Sequence, residues 1–285
     1  MPLPQPDEGG DKEERGRVLV VGGAPEMPGA VILAATAALR AGAGKLQIAT
    51  CRSIAQSVAV AVPEARVFAL PETRAGAIAV SAAEEISERA QEVNAVLIGP
   101  GMIDEDAVAR LVQKALPQIG KTTVVLDAAA LSCFARSPQC LHGLDCKAIL
   151  TPHAGEMAGM LGVSKSTATR EQSATVRDAA RRLRAVVALK GAETHIAAYN
   201  IPKSYCNRAG NVGLATSGSG DTLSGIITGL AARGSTPLQA AVWGVYLHAR
   251  AGEVLAKRMG RLGYLARELL AEVPALMSKL IERKR

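Results

Sequence analysis

The residues most suited to chemistry lie in one stretch, NRAGNVGLATSGSGDTLSGIITGLAARG over 207–234, where a glycine-rich loop runs directly into an amphipathic helix. Gly218 and Gly220, with Ser219 between them, let the backbone approach a ligand closely, and Asp221 opens a run whose apolar members Leu223, Ile226, Ile227 and Leu230 have helical spacing. The start of a helix exposes unpaired N–H groups and partial positive charge, so such a loop is an anion site, most often for phosphate. A carboxylate at its rim repels phosphate unless it removes the proton from whatever attacks the phosphorus. The competing reading is that Asp221 only favours the helix N-terminus electrostatically. Both readings stand on these residues alone.

Two further segments carry polar groups at a bend. In TPHAGEM (151–157), His153 and Glu156 point toward one site if the segment joins a strand to a helix, although Thr151 or His153 with Glu156 also reads as a helix-capping box. In LKGAET (189–194), Lys190 suits a phosphate and Thr194 a ribose or phosphate oxygen, against the alternative of an ordinary hairpin with an exposed lysine. Neither GxxxxGK[ST] nor a GxGxxG placed after a strand occurs, which disfavours a P-loop NTPase and a Rossmann dehydrogenase.

The elements that must position these groups alternate from Arg17 onward. Apolar strands are predicted at 18–23, 45–50, 65–71, 95–102, 123–128, 148–152 and 186–191, with helices between them and a hairpin from THIAAYN and KSYCNR. Strands apolar on both faces imply an α/β fold, a largely parallel sheet covered by helices on both sides. Ligands in such sheets bind beyond the carboxyl ends of the strands, which selects the loops 22–30, 99–102, 127–130, 152–156, 190–194 and 218–221. The last third, from Pro237, reads as helix broken at Gly260 and Pro274. The start, MPLPQPDEGGDKEERG (1–16), is expected to be a disordered tail ahead of a single domain over 17–285.

Composition narrows the function classes. The chain of 285 residues is 48% hydrophobic but only 2% aromatic, so Ala, Val, Leu and Ile must fill the core. Five cysteines without a CxxC pair suggest a reduced, cytoplasmic protein, and four scattered histidines give no zinc-site spacing. The net charge is +7, with the acidic start at −3. Basic clusters at 181–184, 257–261 and 279–285 fall on helices with few aromatics nearby, so they read as solvated faces and no nucleic-acid partner is expected. No apolar run reaches membrane-spanning length, and no membrane partner is expected.

Taken together, GAPEMPGAVILAATAALRAGAGK, GPGM, TPHAGEM, LKGAET and GNVGLATSGSGDTLSGIITGLAARG, followed by HARAG and GYLARELL, resemble the ADP/ATP-dependent NAD(P)H-hydrate dehydratase family over nearly the whole chain after the start. The resemblance implies a ribokinase-like fold and repair of NADH or NADPH hydrated on the nicotinamide ring. A nucleotide, ADP giving AMP with Mg2+, would phosphorylate the ring hydroxyl, and phosphate would leave as the ring nitrogen pushes. Hydroxide is a poor leaving group, and an anion hole with a carboxylate base can convert it into a better one. Carried over to this chain, Asp221 is the base and a substrate contact. Lys190, Gly191, Ala192, Glu193 and Thr194, with Gly218, Ser219 and Gly220, are nucleotide contacts, and Ala30, Gly101, His153 and Glu156 are substrate contacts. No residue is assigned to hold a metal, and a homo-oligomer is expected. GPGMID and the Ala129 of DAAAL depart from the family pattern and bear on substrate fit near Gly101 and Asp127. The alternatives are a small-molecule kinase of the same fold, for a hydroxymethylpyrimidine, a thiazole or a sugar, and a non-catalytic nucleotide sensor or nucleic-acid binder that would not need Asp221.

Overall fold

A computed structural model describes residues 2–5, 9 and 11–282, and the side chains up to residue 280. The predicted alternation becomes one nine-stranded sheet in the order β3-β2-β1-β4-β5-β6-β7-β8-β9. The strands are β1 (Arg17–Val21), β2 (Lys45–Cys51), β3 (Ala65–Leu70), β4 (Ala95–Ile98), β5 (Thr123–Leu126), β6 (Lys147–Leu150), β7 (Val186–Leu189), β8 (Thr194–Ala198) and β9 (Tyr205–Asn207). The first seven are parallel; β8 and β9 form the expected antiparallel hairpin against β7. Every residue of β4, β5 and β7 is buried, as strands covered on both faces require.

The helices are α1 (Pro28–Arg40), α2 (Arg52–Ala61), α3 (Ala83–Gln91), α4 (Glu105–Ala115), α5 (Ser132–Arg136), α6 (Ala154–Leu161), α7 (Lys165–Arg170), α8 (Gln172–Leu183), α9 (Ser219–Ala232), α10 (Pro237–Met259) and α11 (Ala266–Glu282). Among the described residues, none is long and apolar enough to cross a membrane. All five cysteines are unpaired. The shortage of aromatic residues is met by close backbone contact between α1 and α9. A Cβ at Gly225 would fall 2.1 Å from the Ala34 carbonyl oxygen, and one at Gly229 would fall 2.4 Å from that of Ala38. Glycine is thus required where the two helices cross.

Strand order reverses between β1 and β4, and the loops after these two strands meet there. Gly101, after β4, lies against Ala30 at the start of α1, a Cβ at 101 falling 2.8 Å from the Ala30 Cβ. This is the switch-point crevice in which open parallel sheets bind ligands.

Two expectations are corrected. Gly260 does end α10, but Pro274 sits inside α11 without breaking it, because Leu269, Leu270 and Val273 are buried against the body of the protein. That packing outweighs the backbone hydrogen bond that proline removes. The start is not a free tail where it is described: Leu3 is buried, Arg233 donates to the Pro4 carbonyl (3.1 Å), and Gln239 donates to that of Pro2. Closer to β1, Glu13 pairs with Arg17 and Lys45. One apolar side chain and two carbonyls find partners only the folded surface supplies, so composition pointed the wrong way. Residues 1, 6–8, 10 and 283–285, which fall within the expected tail and the last basic cluster, lie outside the described residues.

Candidate active site

The glycine turn meets α9 as its sequence demands. Gly218 is the N-cap residue with φ +83°, a left-handed conformation that favours glycine, and no side chain caps the helix. The Ser219 N–H is taken by the Thr216 carbonyl (3.2 Å), so it is the N–H groups of the next residues, from Gly220, that no side chain caps. Ser219 is buried and its Oγ lies 3.0 Å from Nε2 of His248 on α10. Burial pushes the His248 pKa down to about 4, so this imidazole is neutral at physiological pH and anchors the turn without adding charge.

Asp221 stands one helical position beyond Gly220, in a cluster of charges drawn from four parts of the chain. Lys190, at the end of β7, places Nζ 2.8 Å from Oδ1 of Asp127 at the end of β5 and 3.8 Å from Oε2 of Glu156 on α6. Thr151, after β6, donates to the same Asp127 oxygen at 2.8 Å. Lys190 is not the exposed hairpin lysine that its segment allowed: its side chain is 19% exposed and that of Asp127 only 2%. Burial works against the ammonium, but the Asp127 and Glu156 carboxylates outweigh it and hold the Lys190 pKa above its ordinary value. Burial, reinforced by the charge on Asp127, raises Asp221 to about 6, with Lys190 pulling the other way. Three carboxylates thus gather around one lysine.

TPHAGEM does both things its sequence allowed. His153 Nδ1 accepts from the N–H groups of Gly155 (2.9 Å) and Glu156 (3.2 Å), while Glu156 accepts from the His153 N–H (2.7 Å), a complete capping box. That cap also aims Glu156 at Lys190, and the His153 backbone bridges to Lys190.

A cavity of about 720 Å³ opens beside the α9 turn, lined by Lys190, Gly191, Ala192, Thr194, Ser219 and Gly220. A second, of about 620 Å³, is lined by His153, Glu156, Ala129 and Met102, and His153 borders both. The structure thus gathers Lys190, Gly191, Ala192, Thr194, Ser219 and Gly220 on one cavity, with Gly218 as the turn behind them, and His153 and Glu156 on the other. Ala30 and Gly101 lie together at the switch-point loops and line neither cavity. Glu193 also lies off the first cavity, engaged by Arg208 and Cys206 on the hairpin. Three groups escaped sequence reasoning. Asp127 figured as a strand-end loop residue and as a point near which family departures bear on substrate fit, not as the partner of Lys190, though an acid closing TVVLD was its signal. His248 entered only as the first residue of the HARAG segment, with no role read for it. Asn211, which accepts from Tyr264 (2.9 Å) and from the Gly213 N–H (2.9 Å) and lines the first cavity, read only as part of a flexible loop.

The profile of a family described as NAD(P)H-hydrate dehydratase matches residues 18–275. The chain is 48% identical over 280 residues to the ADP-dependent (S)-NAD(P)H-hydrate dehydratase of Xanthomonas campestris pv. campestris, covering 98% of this chain and 93% of that protein. It is 41% identical to the bifunctional NAD(P)H-hydrate repair enzyme Nnr of Moorella thermoacetica, covering 98% of this chain and 52% of that protein, so it spans about half the length of such two-activity relatives. Among solved structures, the ADP/ATP-dependent NAD(P)H-hydrate dehydratase from Bacillus subtilis, co-crystallised with ATP/Mg2+, superposes with a TM-score of 0.83 at 30% identity, covering 98% of this chain and 95% of that one.

Proposed function

This chain belongs to the NAD(P)H-hydrate dehydratase family and has its ribokinase-like fold, and from that premise we propose that it converts hydrated NADH or NADPH back to the reduced dinucleotide, consuming ADP and releasing AMP and phosphate. The observation that carries this reading is a carboxylate with its pKa raised to about 6, Asp221, set at an uncapped helix N-terminus beside Lys190. A half-buried carboxylate poised near neutrality is suited to act as a general base, and the helix start beside it to receive phosphate.

The residues divide the work accordingly. The nucleotide lies in the larger cavity, its phosphates on the 218–220 backbone and near Lys190, its apolar ring against Leu223 and Val245. Thr194 and the 191–192 backbone border the ribose side. His153 and Glu156, with Ala30 and Gly101 at the switch point, face the hydrated ring. Asp221 takes the proton from the ring hydroxyl as its oxygen bonds to the terminal phosphorus of ADP and the bond from that phosphorus to the AMP oxygen breaks. The C–O bond of the new ester then breaks: phosphate departs with the oxygen, the ring nitrogen supplies the electron pair, and loss of a ring proton restores the dihydronicotinamide.

Asp127, Glu156 and Asp221 present the hard oxygen donors that Mg2+ selects, and their negative charge exceeds what Lys190 offsets. An ion held between these carboxylates and the nucleotide would supply charge neutralisation for the transferring phosphoryl group.

The decisive assay mixes the protein with hydrated NADH and either ADP or ATP. Equal yields of AMP, phosphate and dihydronicotinamide absorbance from ADP are expected. A stable phosphate ester formed with another alcohol, and no recovery of absorbance with either nucleotide, would assign the site to a kinase.

A further inference from the structure

Outside the charged cluster at the sheet ends, the described residues contain one group of three side chains of metal-ligand type, Glu193, His195 and Cys206. Their convergence follows from the backbone. Glu193 immediately precedes β8 and His195 lies two residues on, with Thr194 between them lining the nucleotide-side cavity, and the Glu193 carboxylate turns back to His195 Nε2 at 3.7 Å. The β8–β9 register sets Cys206 directly across from His195, and directly paired residues lie on a common face with their Cβ atoms about 5 Å apart.

The ligand atoms then form a triangle. Cys206 Sγ is 3.3 Å from Glu193 Oε2 and 3.8 Å from His195 Nε2, and His195 Nε2 is 3.7 Å from that same carboxylate oxygen. A tetrahedral zinc ion with ordinary Zn–S, Zn–N and Zn–O bonds separates its ligands by about 3.4–3.6 Å, so each edge matches to within a few tenths of an ångström. The surrounding groups orient this set. Arg208 Nε holds the other Glu193 oxygen at 3.1 Å, leaving Oε2 turned inward, and His195 presents Nε2 to both Glu193 and Cys206.

We propose that Glu193, His195 and Cys206 form a zinc-type metal site on the outer face of the β8–β9 hairpin, distinct from the magnesium-nucleotide centre. Thiolate and imidazole favour borderline ions such as zinc over magnesium, whose preference is for oxygen. Three protein ligands leave a fourth tetrahedral position for water, and Cys206 and Arg208 are exposed, so an ion can enter from solvent. Thiolate and carboxylate together balance the dication. The site was invisible to spacing because Cys206 follows His195 by eleven residues through a turn, and only the hairpin register brings them together.

The test uses the intact chain, stripped with chelator and titrated with zinc or cobalt in the absence of nucleotide. One ion per chain is expected, with cobalt producing a thiolate charge-transfer band in the near ultraviolet. Cys206→Ser should abolish the band and weaken zinc binding at least about 100-fold, since loss even of an orienting partner lowers metal affinity 10–100-fold. His195→Gln should weaken zinc to a similar extent, while Cys146→Ser, at a half-buried cysteine outside the ligand group, should change neither readout. No saturable binding, or a band that survives Cys206→Ser and His195→Gln, would overturn the assignment. Thermal melts of each variant separate lost ligation from lost folding: a variant that unfolds is replaced by Glu193→Gln, judged by the same two readouts.

Discussion

Replacing Asp221 by asparagine should make the protein more stable and nearly inactive, and the size of the first effect follows from the site. The Asp221 pKa stands at about 6 against an ordinary 3.8, chiefly through burial and then through the Asp127 charge. Each pKa unit corresponds to 1.36 kcal/mol, so holding this carboxylate ionised in the folded protein costs up to about 3 kcal/mol at neutral pH. Residual exposure screens the charge, and a net gain of about 1–2 kcal/mol is expected for Asp221→Asn at pH 8, a rise of roughly 2–4 °C in Tm for a chain of this size. Because the folded pKa lies above the unfolded one, the native state binds the extra proton as pH falls. Wild type recovers this stability between about pH 6 and pH 4, and the difference between the two proteins should vanish near pH 4. Denaturant unfolding at pH 4, 6 and 8 measures the difference. Turnover with ADP and hydrated NADH should fall by about 10² to 10⁴ in the variant, and wild-type kcat should drop below about pH 6 as the base is protonated. Equal or lower stability of Asp221→Asn at pH 8 would refute the electrostatic argument. Undiminished turnover would return Asp221 to a role at the helix N-terminus.

Lys190→Ala should raise the nucleotide KM and also destabilise the fold, by about 2–3 kcal/mol in urea titration, because it leaves the buried Asp127 without its cation. The pair Lys190→Met with Asp127→Asn should recover most of that stability but not the KM. Gly225→Val should cost at least about 2 kcal/mol, read as a lower unfolding midpoint, since the added carbons meet the Ala34 carbonyl with α1 already in contact. Removing residues 1–5 should lower the midpoint by a few degrees, the effect of exposing one buried leucine, about 1.5–3 kcal/mol; an unchanged melt would show that the Leu3 contact carries no stability.

What the sequence determined by itself was local or periodic. Two-sided apolar runs such as VLVV and AVLI dictated buried parallel strands, and glycines at their ends dictated loops on one edge of the sheet. TSGSGDTL dictated an uncapped helix start with a carboxylate in its first turn, because helical spacing and the conformational freedom of glycine act over a few residues. The charge state of that carboxylate was decided elsewhere. Asp127 and Lys190 lie 63 positions apart and meet only because β5 and β7 end on the same edge of the sheet. Ser219 reaches His248 only because α10 packs on α9, and Leu3 is buried only because the folded surface offers it a groove. The cluster of Glu193, His195 and Cys206 depends on the register of one hairpin. Coulomb energy and desolvation depend on distance and burial in space, quantities that a linear string carries only for near neighbours, so the elements were legible in advance while the pairing that tunes Asp221 had to await the assembled sheet.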